Sequence, residues 1–205
     1  MECQAATTAD GLNRQWFVGW LIARGATVYY DAIGNEFGLF ELCPGAPYVM
    51  VGSHLDSQPR AGRFDGAYGV LAGATVCAEL YRAAPSGETE LTYNLCVVNW
   101  FNEEGCRFTP AMMGSLVHAT WGARNYEFQV LGEHSHKGIT HNEYEFTSDQ
   151  DMLAGLDMLT ATLTRAAQGG TGRVAPGRAS SPADVRRAAA RRRSDVVGPR
   201  PRRRT

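Results

Sequence analysis

Three short runs in the first half of the chain carry side chains that could bind metal ions. They read GSHLDS at residues 52–57, RFDG at 63–66 and NEEG at 102–105. Together they supply one imidazole and four carboxylates, the kinds of donor with which proteins hold divalent metals that activate water. The sequence therefore predicts a two-metal hydrolytic site in which one carboxylate bridges the metals.

The spacing within the runs adds a geometric argument. His54 and Asp56 are two residues apart at the end of a predicted strand over 48–52, so both side chains point to the same side and Asp56 can orient His54. Asp65 stands just before Gly66, where a tight turn would open a helix and hold the carboxylate at a fixed point. This rigidity suits a bridging ligand.

Glu103 and Glu104 follow a predicted apolar strand over 91–101. Adjacent residues point in different directions, so one carboxylate can bind a metal while the other reaches a bound water molecule. Taken singly, His-x-Asp is more often a hydrogen-bonded strand end, and Glu-Glu is more often a solvated loop. The functional interpretation depends on the three runs occurring together and in this order.

The segments 52–73 and 97–115, within a match that covers residues 9–119, closely resemble M20-type zinc amidohydrolases. The branch is that of N-carbamoyl-L-amino acid hydrolases, beta-ureidopropionases and allantoate amidohydrolases. A further run at 132–140 is similar to the family's Gly-Glu-x-x-His-x-Gly-x-Thr. The resemblance implies hydrolysis of C–N bonds in N-carbamoyl or ureido amino-acid derivatives, with two divalent ions as cofactors. Zinc is expected, with manganese or cobalt as alternatives.

The resemblance also assigns a role to each matched position. It implies three metal ligands, His54, Asp65 and Glu104. It also implies that Glu103 is the general base, that Asp56 orients the histidine ligand, and that His136 donates to the substrate carbonyl oxygen. Asp65 is the implied bridge. The implied partners are a small ureido or carbamoyl substrate and, in the intact family, a second copy in a homodimer.

Two departures from the family weaken the expected activity. A segment that supplies a second histidine ligand is missing between 119 and 121, and nothing after 167 matches the part that supplies the final one. We therefore expect the chain to bind metal weakly and to hydrolyse its substrate poorly. The alternative is a catalytically inactive fragment that can only bind metal weakly or dimerise. A competing interpretation groups His134, His136 and His141 as a separate metal cluster, but no carboxylate clearly completes it.

Alternating helical and strand patterns predict an α/β fold with a sheet covered by helices. The expected domains are a partial catalytic domain over 1–119, an incomplete α+β lid or dimerisation domain over 120–167, and a disordered tail over 168–205. The predicted helices cover 9–24, 67–82 and a segment from Ser148 to about 167, and the predicted strands cover 26–31, 36–42, 48–52, 91–101 and 125–131.

Charge is distributed unevenly along the chain. The net charge is only −1, but eleven of the arginines fall within 173–205. The simplest interpretation of this tail is a frameshifted reading of GC-rich DNA or a disordered extension. Nucleic-acid binding is disfavoured, because no aromatic residue is interleaved with the arginines and no nucleic-acid-binding fold precedes them.

The remaining composition favours a cytoplasmic protein. The five cysteines are scattered and odd in number, which is typical of reduced thiols. The first ten residues lack a basic start followed by an apolar run, and no stretch approaches eighteen apolar residues. Neither secretion nor membrane insertion is expected.

Overall fold

The computed structural model describes residues 2–87, 90–121, 141 and 147–169. In chain order the helices and strands are α1 (Thr8–Ile22), β1 (Thr27–Tyr30), β2 (Glu36–Phe40), β3 (Tyr48–Ser53), α2 (Ala67–Ala83), β4 (Asn94–Asn99), α3 (Met113–Trp121) and α4 (Asp149–Ala167). A short 3-10 turn, Ala84–Ser86, follows α2. The predicted α/β class is confirmed.

The four strands form one mixed sheet in the order β1-β2-β4-β3. The pairs β1–β2 and β2–β4 are antiparallel, whereas β3 and β4 are parallel. A parallel pair needs a crossover connection, and α2 provides it. Ser53 pairs with Asn99 at the last position of both strands. The residues that follow β3 and β4 therefore emerge side by side at one edge of the sheet.

Side chains of β4 alternate between two apolar clusters. Leu95 and Val97 lie in the larger cluster, to which α1, α2 and α4 contribute. Cys96 and Val98 lie on the opposite face with Phe37. Because β4 is buried on both faces, its four central residues, 95–98, are all apolar instead of alternating with polar residues.

The predicted strand over 91–101 is too long, since β4 covers only Asn94–Asn99. At its start, the Asn94 side chain is hydrogen-bonded to the loop before β3, because its Nδ2 atom donates to the carbonyl oxygens of Cys43 and Ala46. At its end, the Phe101 backbone N–H donates to Asn35 Oδ1 and not to a strand. Polar side chains thus define both ends of β4.

The other predicted elements that fall within the described residues are confirmed to within a few residues. Thr7 caps α1 by accepting from the backbone N–H of Asp10, and Ser148 caps α4 by accepting from that of Asp151. α3 was not predicted. α4 packs against α2 and places Leu163 in the larger cluster. The domain boundaries stay a prediction.

Several sequence expectations fall outside the described residues. They include a strand expected over 125–131 and the arginine-rich tail beyond residue 169. All five cysteines are described, and all are free thiols, as predicted. Among the described residues, no helix is long and apolar enough to cross a membrane.

Candidate metal centre

His54 lies just beyond β3 and is nearly buried. Its Nδ1 atom is 2.9 Å from the backbone oxygen of Asp56 and 3.5 Å from Asp56 Oδ1. On its other side, Nε2 is 3.2 Å from Glu103 Oε2 and 3.9 Å from Asp65 Oδ1. The ring is therefore fixed through one nitrogen and presents the other to two carboxylates.

The Asp56 carboxylate also holds the turn that carries the two glutamates. Its Oδ1 accepts from the backbone N–H of Glu103 at 3.2 Å, and its Oδ2 accepts from that of Glu104 at 3.3 Å. The sequence predicted only that Asp56 orients His54. The structure adds that the same side chain ties the end of β3 to the segment after β4.

The turn leaves β4 through Asn102, whose φ of +51° lies in the left-handed region that asparagine tolerates better than most residues. The Asn102 amide donates to the backbone oxygen of Phe108 at 2.7 Å, closing the loop on itself. Glu103 and Glu104 consequently face the ends of both parallel strands.

Asp65 reaches the same place from the start of α2. Gly66 caps the helix with a φ of +65°, and the backbone N–H of Ala67 donates to the backbone oxygen of Asp65. The two carboxylate oxygens of Asp65 have different neighbours, since Oδ1 faces His54 and Oδ2 is 2.7 Å from His141 Nε2.

Glu104 is the most deeply buried of the glutamates at this edge, with a side chain only 3% exposed. Its Oε2 atom accepts from the Gln58 amide at 3.0 Å, but its Oε1 atom is buried without a hydrogen-bond partner. A buried carboxylate oxygen without a partner is costly, and a cation would satisfy it. The residues present thus fit a metal ion.

The charges at this site shift two pKa values. Burial alone would lower the pKa of His54, but its hydrogen bond to Asp56 and the charges of Glu103 and Asp56 raise it to about 9. Burial raises the pKa of Glu103, and the nearby carboxylates add to that shift while His54 opposes it. In the metal-free protein His54 therefore carries a proton that an incoming metal must displace.

Three side chains at this edge form a group that could hold a metal ion. One ligand atom from each of Asp65, Glu104 and His141 lies within 4.8 Å of the other two. Neither His141 nor Gln58, which contacts it, was predicted to belong here. The sequence gives no local signal for this contact, because His141 is far along the chain from Asp65 and Glu104.

No family model matches the chain. A protein of Mycolicibacterium smegmatis with a provisional hydrolase name is 59% identical over 117 residues, which are 57% of this chain and 27% of that protein. The N-carbamoyl-L-amino-acid amidohydrolase of Rhizobium meliloti is 40% identical over 117 residues, with the same shares. A solved hydantoinase/carbamoylase family amidase from Burkholderia ambifaria is 42% identical at a TM-score of 0.53, over 58% of this chain and 29% of that one.

The matched segment is similar to N-carbamoyl-L-amino-acid amidohydrolases and to hydantoinase/carbamoylase family amidases. The predicted resemblance is confirmed. The chain spans about a quarter of the length of the curated relatives it matches.

Five of the six site residues predicted from the amidohydrolase resemblance lie together at the edge formed by β3 and β4. These are His54, Asp56, Asp65, Glu103 and Glu104. The sixth, His136, lies outside the described residues. His134, its partner in the competing histidine cluster, does as well.

Proposed function

We propose that this chain carries the metal centre of an amidohydrolase that cleaves C–N bonds in N-carbamoyl or ureido amino-acid derivatives. The observation that carries the proposal is the position of Asp65 and Glu103 against the same nitrogen of His54, with Glu104 close by. The amidohydrolase names of the relatives support the reaction class.

The donor set favours two divalent ions, with zinc expected. His54 and Asp65 would hold one ion, and Asp65 and Glu104 the other. Asp65 suits the shared position because its two oxygens face different neighbours. Bound at these residues, the ions would polarise the substrate carbonyl and lower the pKa of a water molecule.

Glu103 suits the role of general base in this arrangement. Its raised pKa brings the carboxylate closer to the operating pH, where proton transfer from water is most effective. The carboxylate would take a proton from the attacking water and return it to the leaving nitrogen. Asp56 fixes the backbone of Glu103, and the predicted role of His136 at the carbonyl oxygen is part of the proposal.

The test combines metal content with product release. The purified chain would be stripped with a chelator, reloaded with zinc, manganese or cobalt, and incubated separately with an N-carbamoyl-L-amino acid, beta-ureidopropionate and allantoate. We expect slow ammonia release that requires added metal and stops when the chelator returns. A chain that binds no metal stoichiometrically, and releases no ammonia from any of the three substrates, would contradict the proposal.

A second candidate is a catalytically inactive, metal-binding protein that pairs with another subunit. Large apolar side chains on α1 and α4 favour it, since Leu12 and Leu153 are each more than 60% exposed and Trp16 is 56% exposed. Metal binding without turnover, together with a dimer in analytical ultracentrifugation, would distinguish this candidate from the first.

A further inference from the structure

His141 contacts both carboxylates proposed for the second metal position. Its Nε2 atom is 2.7 Å from Asp65 Oδ2 and 3.7 Å from Glu104 Oε2. The Gln58 amide lies 3.1 Å from the Nδ1 atom on the other side of the ring. Nε2 is therefore the ring atom that faces the carboxylates.

A buried carboxylate oxygen without a hydrogen-bond partner lies at the same position. The Oε1 atom of Glu104 has no hydrogen-bond partner, although the side chain is only 3% exposed to solvent. Zinc binds imidazole nitrogen and carboxylate oxygen at about 2.0–2.2 Å, so two ligands of one ion lie roughly 3–4 Å apart. The separation of Nε2 from Glu104 Oε2, 3.7 Å, lies within that range, and its separation from Asp65 Oδ2, 2.7 Å, is slightly below it, so small side-chain rotations would admit an ion.

We propose that His141 is a metal ligand, which acts with Asp65 and Glu104 and supplies an imidazole to the second metal position. The amidohydrolase resemblance does not assign this residue a metal, and the segment expected to supply a histidine there is missing from the sequence. The inference rests on the proposed function, because it needs the metal centre to exist. It changes the expected chemistry, since it raises the protein ligands of the second metal position from two to three, the number found in catalytic zinc sites.

The competing interpretation is a plain ion pair. A protonated His141 between two carboxylates would be stabilised without any metal, and it would then block the position that the ion should take. The two interpretations differ in what zinc does to the ring. A ligand binds the ion through Nε2 after releasing the proton on that atom to solvent, whereas an ion-pairing imidazolium keeps it.

The main experiment is a zinc titration by calorimetry on the full chain, for the wild type, His141→Ala and His118→Phe. His118 is a matched control, because its ring lies on Phe37 and Trp100, away from the carboxylates, and phenylalanine keeps the aromatic contacts. We expect His141→Ala to weaken one binding event by at least about tenfold, a loss that even the hydrogen-bond partners of zinc ligands can cause. His118→Phe should bind zinc as the wild type does.

A second measurement observes zinc binding in the wild-type chain, so its result does not depend on whether a substituted chain folds. In a long-range proton–nitrogen NMR correlation of the histidine rings, stoichiometric zinc should shift the Nε2 signal of His141, assigned by its absence in His141→Ala. The signals of His118 should stay in place. An Nε2 signal that zinc leaves unmoved overturns the inference, as does unchanged zinc affinity in His141→Ala.

Failure of this inference is distinguishable from failure of the proposed function. Asp65→Asn is a ligand variant in both proposals. If Asp65→Asn abolishes zinc binding while His141→Ala does not affect it, the metal centre stands and His141 is only an ion-pair partner. If the wild type shows no saturable zinc binding, both proposals are wrong.

Discussion

The imidazole ring of His54 lies directly against Gly66. A Cβ atom built on Gly66 would be 2.4 Å from His54 Cε1 and 2.5 Å from each ring nitrogen, which no real side chain could tolerate. Gly66 also turns the chain into α2 with a φ of +65°. One glycine therefore starts the helix that carries Asp65 and leaves space for the histidine beside it.

Gly66→Ala should displace His54 and weaken zinc binding. We expect the free energy of unfolding to fall by more than the roughly 1 kcal/mol that alanine costs at a positive φ. Gly45→Ala is the matched control, because Gly45 has a φ of +81° but nothing within 4 Å of its added Cβ. Urea denaturation and zinc calorimetry measure both effects. Equal losses in the two variants would show that the ring contact does not matter.

Removing the metal should destabilise the protein by leaving its carboxylates to repel one another. Zinc at one hundred times its dissociation constant should add about 2.7 kcal/mol to the free energy of unfolding. Asp65→Asn should lose most of this gain, because it removes a ligand of both proposed ions. Urea denaturation measures the four free energies of unfolding to compare, those of the wild type and of Asp65→Asn, each with zinc and with chelator. A zinc effect that persists in Asp65→Asn would argue against a shared ligand.

Glu103→Gln should separate binding from chemistry. The amide keeps the size of the side chain but cannot accept a proton, so ammonia release from a ureido substrate should fall by about 10²- to 10⁴-fold while zinc still binds. Glu79→Gln is the control, since Glu79 is exposed on α2 and forms an ion pair with Arg82 on the same helix. The comparison is of initial rates at saturating zinc. Full activity in Glu103→Gln would exclude this residue as the base.

Asn99→Ala should destabilise the edge of the sheet that carries the site. Asn99 Oδ1 accepts from the backbone N–H of Leu55 at 2.9 Å, and its Nδ2 donates to Glu36 Oε2 at 2.7 Å. The alanine variant leaves two buried groups without hydrogen-bond partners at ~1–3 kcal/mol each, so a loss of about 2–6 kcal/mol is expected. Asn13→Ala, which removes a hydrogen bond only to the weak acceptor Cys3 Sγ, should cost much less. Similar losses for both would be contrary to this account.

Glu36 should make the stability depend on pH. Burial raises its pKa above the ordinary 4.5, although Arg14 and the hydrogen bond from Asn99 oppose the shift. An acid whose folded pKa is raised favours folding most when it is protonated, so the wild type should lose stability as the pH rises from about 4.5 through the folded pKa.

Glu36→Gln cannot ionise and should not show this loss. The free energy of unfolding of the variant, relative to the wild type, should therefore increase over that pH range, whatever the constant difference between the amide and the protonated carboxyl. Glu79→Gln, at an exposed position, should show a nearly flat difference. Urea denaturation at a series of pH values provides the measurement, and a difference for Glu36→Gln that falls with rising pH would contradict the assignment.

The amino-acid sequence alone determined the local features of this protein. The apolar run of β4, the glycine that opens α2 and the serine that caps α4 are short-range signals, because the residues that cause them are neighbours along the chain. The kinds of metal donor were also predictable, since imidazole and carboxylate chemistry belongs to the side chains themselves.

Only the tertiary structure decided how those donors are held. The parallel pairing of β3 and β4 brings the Asp56 carboxylate to the backbone of Glu103 and Glu104, and no local pattern encodes that contact. The approach of His141 to Asp65 is likewise a long-range event. Such contacts depend on which strands pair and which helices pack, so their physical cause is the burial of the whole sheet and not the preference of any one segment.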